Sequence, residues 1–297
     1  DILGGEVIRD LEPGEIVVVK NGELKSYNFS NKCKTMKKSC IFEHIYFARN
    51  DATIDKVNVY EFRVESGKIL SSCYREIEKL IEPGITLLEI DKFAEDFILK
   101  HGAYPEQKGY NGYKYATCLS VNDVVCHGIP TKQKLKRGDI ISVDMVVNLN
   151  GWLADSAWSY SVGEVSEEAK KLLSVAHECL YKGIEQAYIG KRLGDIGSNI
   201  QKHAESFGFS VVRDYIGHGI GKEMHEEPEV HHIGKEGRGM RLLDGMVFTI
   251  EPMINVGHYK TILDTDGWTA KTADGSLSAQ YEHTIAITRD GPVVITE

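Results

Sequence analysis

The residues best suited to chemistry are two aspartates, Asp144 and Asp155, in one predicted hairpin. Asn150-Gly151 lies between two apolar runs, and this dipeptide is typical of a two-residue hairpin turn. The turn pairs Leu149 with Trp152, so both aspartates face the same side of the hairpin. As diagonal neighbours they have Cα atoms about 7–8 Å apart. Two carboxylates on one face repel each other unless a positive charge lies between them. The pattern indicates a metal site, although one aspartate in solvent and the other capping a turn would fit too.

Further residues of metal-ligating type follow later in the chain. Glu251 ends a predicted strand, and Glu282 lies inside another apolar strand at residues 279–288. A glutamate in such a strand is disfavoured unless it is paired or ligated. His218 and His225 flank a glycine-bounded turn, where either imidazole alone is more typical of a hydrogen-bonded structural histidine than of a ligand.

Together these positions predict a site of four carboxylates and one imidazole: Asp144, Asp155, His218, Glu251 and Glu282. The set contains no thiolate, so it suits harder divalent ions such as Mn or Fe(II), and also Co or Zn. Four carboxylates exceed the needs of one ion and suit two ions about 3.5–4 Å apart. Such a pair holds a bridging water whose lowered pKa gives hydroxide near neutral pH, the nucleophile for amide hydrolysis.

The elements that position this set begin near residue 66. A helix is predicted at residues 69–81, ending before a proline. Thr86 and Glu89 form a capping box that opens a second helix, and His101-Gly102 ends it. Residues 84–102 align with residues 190–208 at an offset of 106, and residues 138–144 align with 245–251 at an offset of 107.

Two matches at nearly one offset indicate a duplicated helix-and-hairpin unit. The expected fold class is therefore α+β, a two-fold sandwich of helices around an antiparallel sheet, with the site between the halves. Residues 1–65 differ, because they predict short strands at Glu15–Lys20, 40–47 and 57–62, with a hairpin turn at Asn21-Gly22. The lysine-rich stretch at residues 32–38 is interpreted as a solvated loop rather than a phosphate-binding patch.

Composition narrows the class of protein. The chain has 297 residues, 42% of them hydrophobic and 27% charged, which is typical of a globular protein. A net charge of −9 disfavours broad binding to nucleic acid or anionic lipid. The six scattered cysteines are interpreted as reduced thiols, and no apolar run approaches the roughly 20 residues of a membrane span. The start lacks the features of a signal peptide, so the expected compartment is the cytoplasm.

Five runs resemble, in order, the motifs of type I methionine aminopeptidases: residues 120–130, 144–157, 217–228, 250–253 and 278–284. The resemblance extends from about residue 66 to residue 297. It implies the duplicated pita-bread fold of the creatinase and aminopeptidase family, with two divalent ions (Mn, Fe, Co or Zn) held by the five-residue set. It further implies removal of the N-terminal methionine from nascent polypeptides with a small second residue, at the ribosome.

The same resemblance implies roles for single residues. Glu251 would also handle the proton of the bridging water, His225 would stabilise the tetrahedral oxyanion, and His127 would contact the scissile amide. With the two histidines, four residues would line the methionine pocket: Tyr110, Tyr113, Cys118 and Trp268. A monovalent cation would bind the backbone near three more: Asn122, Val124 and Ser278.

Residues 1–65 resemble an interior piece of amidophosphoribosyltransferase, carried by residues 8–15 and 40–51, where an expected Arg-Pro-Asp-Ser is altered. The piece lacks that enzyme's N-terminal cysteine nucleophile and its acidic phosphoribosyl-binding loop. Cys40 matches one iron–sulfur ligand of some relatives, but one cysteine does not hold a cluster that needs four. The expected organisation is a catalytically empty fused fragment at residues 1–65 and a catalytic domain at residues 66–297.

Three alternatives remain at this point. Aminopeptidase P and prolidase share the fold and the metal set but prefer proline in the second position. Non-enzymatic pita-bread proteins bind RNA or ribosomal partners, but such relatives have lost metal ligands, whereas all five are present here. A purine-pathway amidotransferase is disfavoured because both of its active centres are missing.

Overall fold

The computed structural model describes residues 15–20, 23–28, 53–54 and 57–297. The chain divides into two compact units, residues 1–47 and 48–297. In the first unit, β1 (Glu15–Lys20) pairs antiparallel with β2 (Glu23–Asn28), which confirms the predicted strand at Glu15–Lys20. The predicted turn at Asn21-Gly22, the strand at residues 40–47 and the lysine-rich stretch lie outside the described residues.

The second unit begins with the short pair β3 (Thr53–Ile54) and β4 (Val57–Asn58), followed by helix α1 (Val59–Glu78). The predicted strand at residues 57–62 is therefore wrong beyond Asn58. The predicted helix at residues 69–81 begins ten residues too late and ends three residues too late. The reason is that buried Arg63, Ser66 and Leu70 recur at helical spacing, and a short apolar run alone does not distinguish a strand from a helix.

The first half of the fold then contains one more helix and five strands. They are α2 (Leu87–Lys100), β5 (Tyr104–Pro105), β6 (Cys118–Val121), β7 (Val124–Cys126), β8 (Ile140–Leu149) and β9 (Trp152–Ser161). Helix α2 has the predicted capping box of Thr86 and Glu89. It ends at Lys100 with His101 as its C-cap, and Gly102 adopts the left-handed conformation (φ 76°) that a helix end favours.

The second half contains two helices and ten strands. They are α3 (Glu167–Ile184), α4 (Leu193–Ser206), β10 (Ser210–Val211), β11 (Gly217–Gly219), β12 (Glu226–Val230), β13 (Val247–Ile250), β14 (Met253–Asn255), β15 (Thr261–Leu263), β16 (Ala270–Thr272), β17 (Ser278–Gln280), β18 (His283–Thr288) and β19 (Gly291–Val294). Strands β11, β12, β13, β18 and β19 form one antiparallel sheet.

Equivalent backbone hydrogen bonds recur in the two halves at the predicted offsets. They join Gly84 N to Leu135 O, Leu87 N to Gln133 O, Gly190 N to Leu242 O and Leu193 N to Met240 O. Helices α2 and α4 are both 14 residues long and start 106 residues apart. Each half also has its own apolar core, one around α1 and α2 and the other around α3 and α4. The predicted duplication is confirmed.

Strands β8 and β9 form the predicted hairpin, with Leu149 opposite Trp152 and Asp144 opposite Ala157. The strand predicted at residues 279–288 is wrong as a single element, because it is interrupted between β17 and β18. At this break Glu282 N donates to Ala157 O at 2.8 Å, which turns the backbone onto β9. The break therefore joins the two halves at the centre of the sandwich.

Four cysteines are free thiols in buried positions, as predicted: Cys73, Cys118, Cys126 and Cys179. The other two lie outside the described residues. Among the helices that the structure describes, none combines the length and apolar character that a membrane span requires.

Candidate metal centre and its cavity

A cavity of about 270 Å³ lies between the two halves of the sandwich. All five predicted metal ligands line it: Asp144, Asp155, His218, Glu251 and Glu282. So do all six residues predicted to contact substrate: Tyr110, Tyr113, Cys118, His127, His225 and Trp268. Residues separated by as many as 172 positions in the sequence thus meet in one place.

Each half supplies part of the acidic set. Asp144 lies on β8 and Asp155 on β9, and the register of this hairpin places both side chains in the same cavity. Glu251 directly follows β13, and Glu282 directly precedes β18. His218 lies in the centre of β11. These strands belong to both repeats, so the site is complete only where the two halves pack against each other.

The candidate ligand atoms approach each other closely. One ligand atom from each of Asp155, His218 and Glu282 lies within 4.8 Å of the others, a geometry that suits one metal ion. Nε2 of His218 is 3.7 Å from Asp155 Oδ2 and 3.6 Å from Glu251 Oε1. These distances are too long for direct hydrogen bonds, and they leave room for a cation among the groups.

The electrostatics of the acidic set are unfavourable without a cation. Burial raises the pKa of Asp144 and of Glu251. Burial, with repulsion from the neighbouring carboxylates, raises the pKa of Asp155 and Glu282 well above the usual range. Burial and the charge of the neighbouring imidazole lower the pKa of His218 to about 4, so this ring is neutral at pH 7 and free to ligate.

The residues present fit a divalent metal centre. Oδ1 of Asp155 and Oε1 of Glu282 are buried and have no hydrogen-bond partner among the described residues. Buried polar oxygens in native proteins are almost always satisfied, and buried carboxylates are paired or bind metals. The donor set of carboxylates and one imidazole also matches the preferences of Mn, Fe, Co and Zn.

Two neutral residues that sequence reasoning missed orient the carboxylates. Gln107 Nε2 donates to Asp144 Oδ1 at 2.8 Å, and Thr249 Oγ1 donates to Glu251 Oε1 at 2.8 Å. Thr249 Oγ1 also accepts from His218 N at 3.0 Å, so one hydroxyl contacts two candidate ligands. Thr249 was detectable, because it precedes Glu251 by two residues and shares its strand face. No sequence signal marks Gln107, which lies in a loop.

The two accessory histidines face the same cavity. His127 has a left-handed backbone (φ 56°), a conformation that costs a non-glycine residue energy and concentrates at functional sites. Burial, with His225 nearby, lowers the pKa of His127 to about 4. The His225 ring packs 4.3 Å from the His218 ring, and its Nδ1 lies 2.9 Å from the Tyr110 hydroxyl. Both imidazoles are therefore placed to contact a ligand beside the acidic set.

An aromatic wall completes the cavity. The rings of Tyr113 and Trp268 pack at 5.1 Å, and Tyr113 donates to Thr117 O at 2.7 Å. Buried Asp91 on α2 accepts three hydrogen bonds, from Ala116 N, Thr117 N and Thr117 Oγ1. This carboxylate fixes the turn that leads into Cys118, and so sets the position of the wall relative to the acidic set.

The predicted monovalent-cation residues also lie close together. Ser278 N donates to Asn122 O at 2.8 Å, and β7, which begins at Val124, pairs with β16 beside them. The side-chain amide of Asn122 is occupied by Asp139 and Ile140 N. Ser278 Oγ is buried and has no hydrogen-bond partner among the described residues. The monovalent-cation site stays a prediction.

Comparisons with known proteins agree with this geometry. The sequence profile of Metallopeptidase family M24 matches residues 64–289. The chain is 50% identical over 237 residues to a methionine aminopeptidase of Clostridium acetobutylicum, which covers 80% of this chain and 95% of that protein.

Solved structures show the same relationship. The crystal structure of methionine aminopeptidase from Rickettsia prowazekii superposes with a TM-score of 0.79 at 44% identity, covering 80% of this chain and 96% of that one. Prolidase from Pyrococcus furiosus has a TM-score of 0.67 at 20% identity, covering 84% of this chain and 66% of that one. The likeness to prolidase shows a shared fold alone.

Proposed function

The chain belongs to metallopeptidase family M24 and, within it, to the methionine aminopeptidases, and from this premise we propose that it removes N-terminal methionine from nascent polypeptides with a small second residue. The observation that carries this proposal is the single cavity in which the acidic set, two histidines and an aromatic wall meet. Nascent chains imply the cytoplasm, in the vicinity of the ribosome, as the place of action.

Two divalent ions are proposed to be held by Asp144, Asp155, His218, Glu251 and Glu282. When bound, such a pair supplies Lewis acidity and a water of lowered pKa as the nucleophile for the scissile amide. Support comes from the four buried carboxylates: burial raises the pKa of each, and repulsion from neighbouring carboxylates raises the pKa of Asp155, Glu251 and Glu282 further. A monovalent cation near Asn122, Val124 and Ser278 is proposed as a structural addition.

The remaining roles belong to side chains of this chain. Glu251 accepts the proton of the attacking water on a carboxylate oxygen. When Tyr110 donates a hydrogen bond to Nδ1 of His225, the ring carries its proton on Nε2. The Nε2–H group then donates a hydrogen bond to the developing oxyanion. One such donor typically contributes a factor of about 10²–10³ in kcat. His127 contacts the scissile amide from the same side.

Specificity follows from the shape of the cavity. Its volume of about 270 Å³ suits one side chain, and its wall of Tyr110, Tyr113, Cys118 and Trp268 suits a thioether, because sulfur makes favourable contacts with aromatic rings. The free amine of the substrate lies at the acidic set, which limits cleavage to the first residue. No residue from 1–65 takes part in this proposal, and the resemblance of that segment to amidophosphoribosyltransferase stays a prediction.

The test measures methionine release from a Met-Ala-Ser peptide, by protein stripped of metal and then supplied with Mn or Co. We expect release that requires metal, a binding stoichiometry of two ions per chain, and little release from Met-Leu-Ser. Asp144→Ala should abolish release, whereas Asp96→Ala, on the exposed face of α2, should not.

Two results would contradict the proposal. Release from Ala-Pro-Ser but not from Met-Ala-Ser would assign the chain the preference of a proline-specific peptidase. One bound ion at full activity would exclude the dinuclear mechanism and leave the aminopeptidase assignment standing.

A further inference from the structure

A second cavity, of about 360 Å³, lies on the opposite face of the central sheet. Its floor includes Ser156 and His283, the neighbours of the candidate ligands Asp155 and Glu282. Successive side chains of a strand point to opposite faces, so the two cavities share their backbone but no lining residue. We call this second space the back cavity.

Two helices form the walls of the back cavity. Helix α1 contributes Ser71, Tyr74, Arg75 and Glu78, which share one face because they recur at helical spacing. Helix α3 contributes His177 and Tyr181, one turn apart. With a floor that also carries Trp158 and Tyr160, the interior is mainly aromatic. Its volume lies in the range of about 300–1,000 Å³ that is usual for small-molecule sites.

The floor contains an unsatisfied donor. His283 is 3% exposed, and its Nε2 has no hydrogen-bond partner among the described residues. Its Nδ1 lies 2.8 Å from Thr296 Oγ1, which already accepts from Thr284 N. Among the described residues, Nδ1 is the acceptor in contact with the Thr296 hydroxyl, so the hydroxyl proton points to Nδ1. The ring proton then lies on Nε2, and an acceptor there would satisfy the kind of group that is rarely left unpaired.

The rim carries opposite charges that do not pair with each other. Arg75 and Glu78 are three residues apart on α1, the spacing at which an ion pair normally forms on a helix. No salt bridge joins these two described residues, and Arg75 Nη2 donates instead to Ser71 and Ser72. Glu297 adds a second exposed carboxylate at the rim. The back cavity thus combines a cation, carboxylates and an aromatic interior.

We propose that the back cavity binds a free α-amino acid with an apolar side chain. The carboxylate of the ligand pairs with Arg75 and reaches towards His283, and its ammonium group faces Glu78 and Glu297. Its side chain packs among Trp158, His177 and Tyr181, where a thioether or an aromatic ring makes favourable contacts. Neither a simple organic cation nor a simple anion matches both charges of the rim. The proposal does not rest on the proposed function, because it uses no group of the front cavity.

The chain offers a site-specific test through its three tryptophans, each in a different place. Trp158 lines the back cavity, Trp268 lines the front cavity, and buried Trp152 lines neither. The metal-loaded protein is labelled with ¹⁵N at the indole nitrogens, each signal is assigned with a Trp→Phe variant, and L-methionine is titrated. We expect a saturable shift of the Trp158 signal, separate from any shift of Trp268 that reports binding at the front.

Variants of the rim and analogues of the ligand sharpen the test. Arg75→Gln and Glu78→Gln, both at exposed positions, should each weaken the Trp158 titration roughly tenfold or more. Arg137→Gln, which removes an exposed guanidinium paired with Glu164 elsewhere, should leave it unchanged. 3-(Methylthio)propylamine and 4-(methylthio)butanoate each lack one charge of the amino acid and should bind at least tenfold more weakly.

The proposal is overturned if only Trp268 responds, or if both rim variants titrate the Trp158 signal as tightly as the unmodified protein does. An analogue that titrates Trp158 as tightly as methionine would show instead that the back cavity takes a simple cation or a simple anion.

Discussion

At the scale of single residues, the candidate metal centre depends on neutral side chains as much as on charged ones. Gln107 and Thr249 each donate a hydrogen bond to one carboxylate of the acidic set. Neither removes charge, so they leave the demand for a cation intact while fixing where the oxygens point. Residues in this position around metal ligands typically affect metal affinity 10–100-fold.

Thr249 allows a direct measurement of this effect. Thr249→Val keeps the shape of the side chain but removes the hydroxyl that contacts both Glu251 and His218 N. We expect Mn affinity to fall about 10–100-fold while the stoichiometry stays unchanged, as measured by calorimetric titration. Thr131→Val serves as the control, because among the described residues its hydroxyl accepts from exposed Gln133 N and contacts no candidate ligand. Unchanged affinity in Thr249→Val would mean that the carboxylate holds its orientation without the hydroxyl.

At the same scale, the sequence predicted which residues of recognisable motifs come together in the cavity. It did not predict the residues that reach the cavity from outside those motifs. The five candidate ligands and the two accessory histidines all line the predicted cavity. The turn at Asn150-Gly151 made this possible, since it fixed the register of Asp144 and Asp155. Gln107 reaches the site from a loop, whose course depends on tertiary contacts that no periodicity records.

At the scale of elements, the first turns of α1 show where local pattern fails. Alternating apolar residues at 57–62 favour a strand, yet the chain is helical from Val59. Tertiary contacts explain the outcome. Ser66 Oγ donates to Trp152 O at 2.9 Å, and the Arg63 guanidinium lies 5.0 Å from the Trp152 ring centroid. These contacts join α1 to the end of the β8–β9 hairpin, a packing choice that the sequence alone does not reveal.

The same indole contacts the segment that carries His225, the proposed oxyanion donor. Lys222 Nζ lies 4.3 Å from the Trp152 ring centroid, and Leu153 N donates to Gly221 O at 3.1 Å. Trp152 thus contacts both Arg63 of α1 and Lys222, which lies three residues before His225. We interpret Trp152 as a positioning residue that holds the His225 segment against the cavity.

Replacement of this indole should therefore reduce turnover more than metal binding. For Trp152→Leu we expect kcat on Met-Ala-Ser to fall tenfold or more, since displacements of about 1 Å in a catalytic group cost up to 10²-fold. KM and metal stoichiometry should change little. Trp152→Phe, which keeps an aromatic face for the two cations, should recover most of the rate.

Trp158→Leu provides the matched control, because it removes an indole from the same strand but on the back cavity. A loss of stability in Trp152→Leu with normal kcat in the folded protein would limit the role of Trp152 to packing.

At the scale of the whole molecule, the duplication explains why the site needs both halves. Asp144 and Asp155 come from the first repeat, whereas His218, Glu251 and Glu282 come from the second. The nearly equal offsets of 106 and 107 residues for helices and strands made this two-fold plan predictable from the sequence. The back cavity was not predictable, because it depends on how α1 and α3 pack over the sheet.

Because both repeats bring buried carboxylates together at the site, the acidic set should destabilise the metal-free fold and stabilise the metal-bound one. Asp155 shows this most clearly, because burial and the charges of Asp144 and Glu251 raise its pKa well above the usual range. Asp155→Asn removes one like charge and keeps the shape. We expect the metal-free variant to have a higher free energy of unfolding than the metal-free wild type, because it no longer buries a carboxylate beside like charges.

With metal, the order of stabilities should reverse. A ligand at 100 times its Kd stabilises a fold by about 2.7 kcal/mol, an increment that the wild type gains and that Asp155→Asn largely loses with its ligand. Thermal unfolding in EDTA and in excess Mn measures both arms, and Asp96→Asn on the exposed face of α2 should follow the wild type in each. A variant that is less stable than wild type in both conditions would show that the Asp155 carboxylate supports the fold by itself, which would remove the electrostatic argument for a metal joining the two halves.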